Sequence, residues 1–160
     1  MNNIYDILDN LNITYDEYKH EAVFTVAETK DIPMKIPGQH CKNLFLKNRK
    51  GDQYYLLIVD DSKRVDIKHI TNEINEKSLS FASEEKLKSI LGLTPGSVTP
   101  FGLINDIDKH VKVLLDKDLE LCKYITFHPN VNTSTLLLSY NDFIKFLGYC
   151  GNEFTYVNIT

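Results

Sequence analysis

Two apolar runs, Cys41 to Lys47 and Gln53 to Val59, are held apart by Asn48-Arg49-Lys50-Gly51-Asp52 alone, and this arrangement constrains the fold of the chain more than any other feature. Both runs are rich in side chains that suit a pleated, buried backbone, and the joining segment has turn chemistry, with Gly51 able to take positive φ. The spacing predicts a hairpin whose two strands lie at the centre of a sheet. The rest of the chain has to be arranged around that pair.

Helical signals flank it. Ile4, Ile7, Leu8 and Leu11 recur at helical spacing behind Asn3, which predicts a first amphipathic helix with an Asn cap. Thr25-x-x-Glu28 reads as a reciprocal capping pattern for a short helix ended by Pro33, and Pro37-Gly38 marks a turn. Asp66 to Ile74 is expected to be helical and Leu79 to Ala82 a short strand. Ser83 is placed to cap a helix that Gly92 stops. Thr94 to Asn105, with two prolines and two glycines, predicts a structured loop. Val111 to Leu115, Tyr124 to Phe127, Thr133 to Leu138 and Phe154 to Ile159 read as strands, and Asn141 to Leu147 as a helix. Strands mixed with helices, without strict alternation, indicate an α+β fold with a central mixed β-sheet flanked by helices. No repeat or low-complexity linker divides residues 1–160, so one domain is expected.

Composition narrows the function. Nine Tyr and eight Phe supply a substantial core for 160 residues, a length at which about 70% of the unfolded surface can be buried. With 22 acidic and 18 basic side chains the net charge is −4, against the basic excess that a general nucleic-acid coat or a membrane-surface protein needs. Within that acidic chain, Ile32 to Gly51 carries Lys35, Lys42, Lys47, Arg49 and Lys50 and no carboxylate. This stretch is either a solvated turn or a phosphate-binding edge. Three cysteines without a CxxC pair indicate reduced thiols, and no segment has the run of ~20 apolar residues of a membrane span. A soluble cytoplasmic protein is expected.

Few catalytic patterns are present. There is no G-x-S-x-G elbow, and the five histidines are dispersed without metal-ligand spacing, so neither a metal nor another cofactor is expected. Ser97 has no identifiable base and reads as a loop residue. Asp60 and Asp61, adjacent on a strand, point to opposite faces and cannot share one substrate. Three segments nonetheless have the composition of one polar site: Lys42-Asn43 opening an apolar strand, the loop Gly96 to Pro100, and His128-Pro129 with Asn132-Thr133.

At these residues the sequence resembles the YbaK/ProX family of aminoacyl-tRNA deacylases, which includes the editing domain inserted in bacterial prolyl-tRNA synthetases. The likeness is carried by His20 to Thr25 (HEAVFT), Lys42 to Lys47 (KNLFLK), Ser80 to Ser83 (SFAS), Leu91-Gly92, Pro95 to Asp106 (PGSVTPFGLIND) and Phe127 to Thr135 (FHPNVNTST). Val131 stands where many relatives have Leu. The KNLFL form and the long loop look most like the free-standing alanyl-tRNA(Pro) deacylases. The resemblance implies hydrolysis of the ester on mischarged tRNA(Pro), with prolyl-tRNA synthetase as a candidate partner. It assigns catalytic roles to Lys42, Asn43 and His128, and substrate contacts to Thr25, Gly96, Ser97, Val98, Thr99, Pro100 and Asn132. Lys47, Arg49 and Lys50 are then expected to meet tRNA phosphates. Cysteinyl-tRNA(Pro) as substrate, or a non-catalytic tRNA-binding module, are the alternatives.

Overall fold

A computed structural model describes residues 3–20 and 36–159. The short helix expected after Thr25, and Lys35, lie outside the described residues. Helix α1 (Ile4–Asn10) opens as its sequence predicts: Asn3 Oδ1 accepts from the backbone N–H of Asp6 at 2.9 Å, and Ile4, Ile7 and Leu8 are buried.

Strands β1 (Tyr15–Lys19), β2 (Cys41–Asn48) and β3 (Tyr54–Asp60) follow. β2 and β3 pair antiparallel from Cys41 opposite Asp60 to Lys47 opposite Tyr54. Asn48 shapes the turn between them, its Oδ1 accepting from the N–H groups of Gly51, Asp52 and Gln53 at 2.9, 3.2 and 3.2 Å. Gly51 takes φ 73°, in the left-handed region that a side chain would strain.

The chain continues through α2 (Ile67–Glu73), capped by Asp66, to β4 (Leu79–Phe81) and α3 (Glu84–Lys86), capped by Ser83. The last of these widens into a π turn at Leu87–Leu91, which Gly92 ends at φ 68°. Two 3₁₀ turns, Pro95–Ser97 and Pro100–Asn105, lead to β5 (Val111–Asp116). Then come a 3₁₀ turn (Lys117–Leu121), β6 (Tyr124–Phe127), β7 (Ser134–Ser139), α4 (Tyr140–Cys150) and β8 (Phe154–Val157).

The strands form two sheets where the sequence suggests one. A five-stranded mixed sheet has the order β4-β2-β3-β5-β8, and a three-stranded antiparallel sheet the order β1-β7-β6. β1 is absent from the sequence expectation because Tyr15-Asp16-Glu17-Tyr18-Lys19 has no apolar run; it is an edge strand that pairs only with β7. Gln39 stitches the sheets together. Its N–H donates to Tyr124 O at 2.9 Å and its carbonyl accepts from Thr126 N–H at 3.1 Å. Gly38 must precede it: at φ 93° a Cβ would lie 2.5 Å from Leu137 Cδ1.

β3 is covered on both sides, which is why it reads as an unbroken apolar run. Tyr54, Leu56 and Ile58 enter the core shared with α1, β6, β7 and α4, while Tyr55, Leu57 and Val59 enter a second core with Ile70 of α2.

Candidate active site

The face of β2 that carries Phe45 into the larger core also carries Asn43. Its Nδ2 donates to the carbonyl of Val98 at 3.2 Å, while its Oδ1 is buried and unpaired. An unsatisfied buried acceptor costs about 1–3 kcal/mol, so this oxygen is a group for which a bound donor would be a net gain. Val98 belongs to a loop fixed from within. Thr99 is fully buried, its Oγ1 accepting from Phe101 N–H at 3.4 Å, and Ser97 and Pro100 are buried beside it. Gly96 lies in the first 3₁₀ turn and is not among the left-handed glycines. Phe101 stacks edge-on against Phe127 with ring centroids 5.9 Å apart, so the loop packs on the residue before His128. Between Asn43, Val98, Pro95, Phe81 and Leu87 a cavity of about 280 Å³ opens at the sheet edge.

His128 leaves the end of β6, and its Nδ1–H donates to the carbonyl of Ser134 at 2.8 Å, which leaves Nε2 as an acceptor. Burial lowers its pKa from the usual histidine value and the charges of His20 and His40 add to that, against the Ser134 carbonyl. The ring is therefore neutral at pH 7. An NMR titration should give His128 a midpoint below about 6.5. A depressed pKa means the unfolded chain binds the extra proton first. The contribution of His128 to stability is thus complete above about 6.5 and is lost as pH falls through the folded value; a midpoint above 6.5 would contradict this environment. His20, not assigned a role from the sequence, lies edge-on to His128 at 6.0 Å, with Nε2 2.9 Å from Thr135 Oγ1.

Lys42 is not brought together with Asn43. It pairs with Val59, whose side chain enters the second core, so alternation along β2 turns it to the opposite face, where its ammonium donates to the carbonyl of Lys63. That partner is neutral, and among the described residues no carboxylate lies within 4 Å of Lys42. Lys63 in contrast is saturated, reaching Asp116 Oδ1 at 2.9 Å, Asp118 Oδ2 at 2.7 Å and Ile159 O at 2.8 Å.

Arg49 and Lys50 are exposed on the hairpin turn and Lys47 is half-buried on β2. At about 3.3 Å per residue the turn begins roughly 16 Å along the strand from Asn43. Asn132 is half-buried in the turn between β6 and β7. Thr25 lies outside the described residues. Among the described residues no group of three His, Cys, Asp or Glu side chains is arranged to hold a metal ion, and no helix is long and apolar enough to cross a membrane.

The arrangement has the parts of a hydrolytic site for a substrate that needs a positioned water: an open acceptor on Asn43, a second on His128 and a rigid loop. Known proteins agree with that reading. The chain is 39% identical to the prolyl-tRNA editing protein ProX of Acetoanaerobium sticklandii over 95% of its own length and 93% of that protein's. It is 32% identical to the prolyl-tRNA synthetase associated domain-containing protein 1 of Bos taurus, over 89% of this chain and 85% of that one. The crystal structure of the hypothetical protein APE2540 shares the fold, with a TM-score of 0.74 at 15% identity over 98% of this chain and 97% of that one. Residues 20–146 match the aminoacyl-tRNA editing domain family, and the chain belongs to it as an aminoacyl-tRNA deacylase.

Proposed function

We propose that this deacylase hydrolyses alanyl-tRNA(Pro), correcting an error of prolyl-tRNA synthetase in the cytoplasm. The prolyl-tRNA editing named for the Acetoanaerobium relative supports the tRNA, and the KNLFL segment supports the alanyl ester. The observation that carries the chemistry is the unpaired, buried Oδ1 of Asn43 beside the Val98 loop.

An ester next to an α-ammonium is already activated, so cleavage needs an oriented water and stabilisation of the oxyanion, with no covalent intermediate. Asn43 Oδ1 accepts from that water or from the substrate's ammonium, and neutral His128 accepts from the ribose or the water through Nε2. The Gly96 to Pro100 loop forms the pocket wall. Lys42, at the second residue of β2 and on the face opposite Asn43, keeps an unneutralised positive charge for a tRNA phosphate rather than for the ester itself; like-charge repulsion also keeps it from the substrate's own ammonium. No side chain here stands out as a general base; the free hydroxyl of the terminal ribose relays the proton, taking one from the attacking water as its own passes to the neighbouring ribose oxygen, so that the acyl C–O bond breaks to give the free amino acid and uncharged tRNA.

Selectivity follows from size. A synthetase pocket built for proline cannot strongly reject alanine, since a missing methylene is worth only about 1–3 kcal/mol, and a second, smaller pocket corrects the error by hydrolysis. The mechanism is tested with tRNA charged on its 3′-hydroxyl and ending in 2′-deoxyadenosine. Loss of the assisting hydroxyl should slow deacylation by about 10²-fold or more, and an unchanged rate would place the base on the protein.

The hairpin basic residues are assigned to tRNA phosphates. Changing Lys47, Arg49 and Lys50 together to Ala should weaken tRNA binding and flatten its salt dependence, each lost contact removing about 0.7–0.9 from the slope of log K against log salt, with turnover at saturating tRNA unchanged. An unaltered slope would make them a solvated turn only.

A further inference from the structure

The order β1-β7-β6 of the three-stranded sheet puts three side chains in a row across one of its faces. Tyr18 stands opposite Thr135 and Phe127 opposite Leu136, so alternation carries His20, Thr135 and His128 to the same side, while Leu136 and Leu138 enter the larger core on the other. The contacts agree with that register: His20 Nε2 lies 2.9 Å from Thr135 Oγ1, and the His20 and His128 rings stand edge-on at 6.0 Å. The backbone adds a second hold. His20 N–H donates to Thr133 O at 2.9 Å, extending the pairing of β1 with β7. In an antiparallel ladder the neighbouring pair, Lys19 with Ser134, is then the one that exchanges no hydrogen bonds, and the Ser134 carbonyl turns away from β1 toward β6. β6 has already ended at Phe127, and the His128 ring takes that carbonyl instead, its Nδ1–H donating at 2.8 Å. Ser134 and Thr135 are both buried, so bulk water does not replace a partner lost there.

We infer that His20 is a positioning residue for the deacylase reaction. It grips β7 by its backbone at Thr133 and by its side chain at Thr135, fixes the Ser134 carbonyl between those two residues, and through that carbonyl sets the tautomer of His128. The inference rests on the role proposed above for His128 and adds the residue that keeps His128 ready for it. A carbonyl oxygen only accepts, so while Ser134 O faces Nδ1 the imidazole proton stays on Nδ1 and Nε2 stays an open acceptor. A Ser134 carbonyl free to swing would release the proton to Nε2, which turns that acceptor into a donor and reverses its use toward a water or a ribose hydroxyl. His20 acts only through Ser134 and His128 and does not itself meet the ester.

The test uses the full chain labelled with ¹⁵N at histidine and reads the His128 tautomer by long-range ¹H–¹⁵N correlation at alkaline pH, the signal being assigned by its loss in His128→Asn. The unsubstituted protein should hold His128 as the Nδ1–H form alone. His20→Ala should bring in the Nε2–H form and lower kcat for alanyl-tRNA(Pro) roughly ten- to hundredfold with KM little changed. His20→Gln, which keeps a polar atom beside Thr135, should recover both the tautomer and the rate. Thr135→Val should reproduce His20→Ala, and the double variant should be no worse than either single one. Circular dichroism checks the fold, and if His20→Ala does not fold, the Gln and Val variants make the same comparison. A His128 that stays wholly Nδ1–H in His20→Ala and Thr135→Val, or losses that add in the double variant, overturns the proposal. The tautomer is read without substrate, so a protein that fails to hydrolyse alanyl-tRNA(Pro) removes the alanyl reading while the spectrum still decides the role of His20.

Discussion

Lys42→Ala is expected to lose about 2–4 kcal/mol in kcat/KM for deacylation, on the order of 10²-fold or more, with thermal stability unchanged. The ammonium is half-buried at the start of β2, its partner is the neutral carbonyl of Lys63, and among the described residues no carboxylate within 4 Å neutralises it. A cation kept in that condition adds little to folding and is available to an anion. Removing it should therefore raise KM more than it lowers kcat, and Lys42→Arg should recover part of the loss. Near-normal kcat/KM in Lys42→Ala would reject the role. A lowered melting temperature with normal turnover would make the side chain a brace for the Lys63 turn.

The largest effect on stability is expected at Asp116. Its side chain is 1% exposed, and its Oδ1 receives Lys63 Nζ at 2.9 Å and Asp118 N–H at 3.1 Å while Oδ2 receives Asp60 N–H at 3.2 Å. Asp116→Ala leaves two backbone donors and a largely buried ammonium without that partner, which costs about 3–5 kcal/mol. Asp118, 62% exposed, cannot replace it. The Lys63 pKa reports the same balance: burial lowers it, and the bonds to Asp118 and Asp116 outweigh that and raise it. Urea denaturation of Asp116→Ala should show a lower midpoint with an unchanged slope. A loss below about 1 kcal/mol would mean that Asp118 and the Ile159 carbonyl hold Lys63 on their own.

What could be read from the sequence was what local chemistry controls. The β2–β3 hairpin follows from Asn48 and Gly51, whose hydrogen bonds and φ are settled within six residues. The caps at Asn3, Asp66 and Ser83 are equally local. β1 was invisible because Tyr15 to Lys19 carries three charges in five residues and earns its place only by pairing with β7, far along the chain. The division into two sheets was hidden for the same reason, since it turns on Gln39 meeting Ile125.

At the site, the loop Gly96 to Pro100 and the position of His128 were legible from prolines, glycines and the end of a strand. The opposite facing of Lys42 and Asn43 was also legible. The alternation that separates Asp60 from Asp61 applies equally to this pair, and the family pattern, which groups the two by sequence position, says nothing of which face each takes. His20 beside Thr135, and Lys63 beside Asp116, are contacts between residues 115 and 53 positions apart, and no local pattern announces them.

The central claim is that this chain removes the wrong amino acid from tRNA(Pro). Single-turnover hydrolysis, with the protein in excess over tRNA(Pro) charged separately with alanine, cysteine or proline, tests it most directly. The alanyl ester should be cleaved far faster than it decays alone, the cysteinyl ester more slowly, and the prolyl ester left intact. Alanyl-tRNA(Pro) that decays at its spontaneous rate, or prolyl-tRNA(Pro) cleaved as fast as the alanyl ester, would contradict the account.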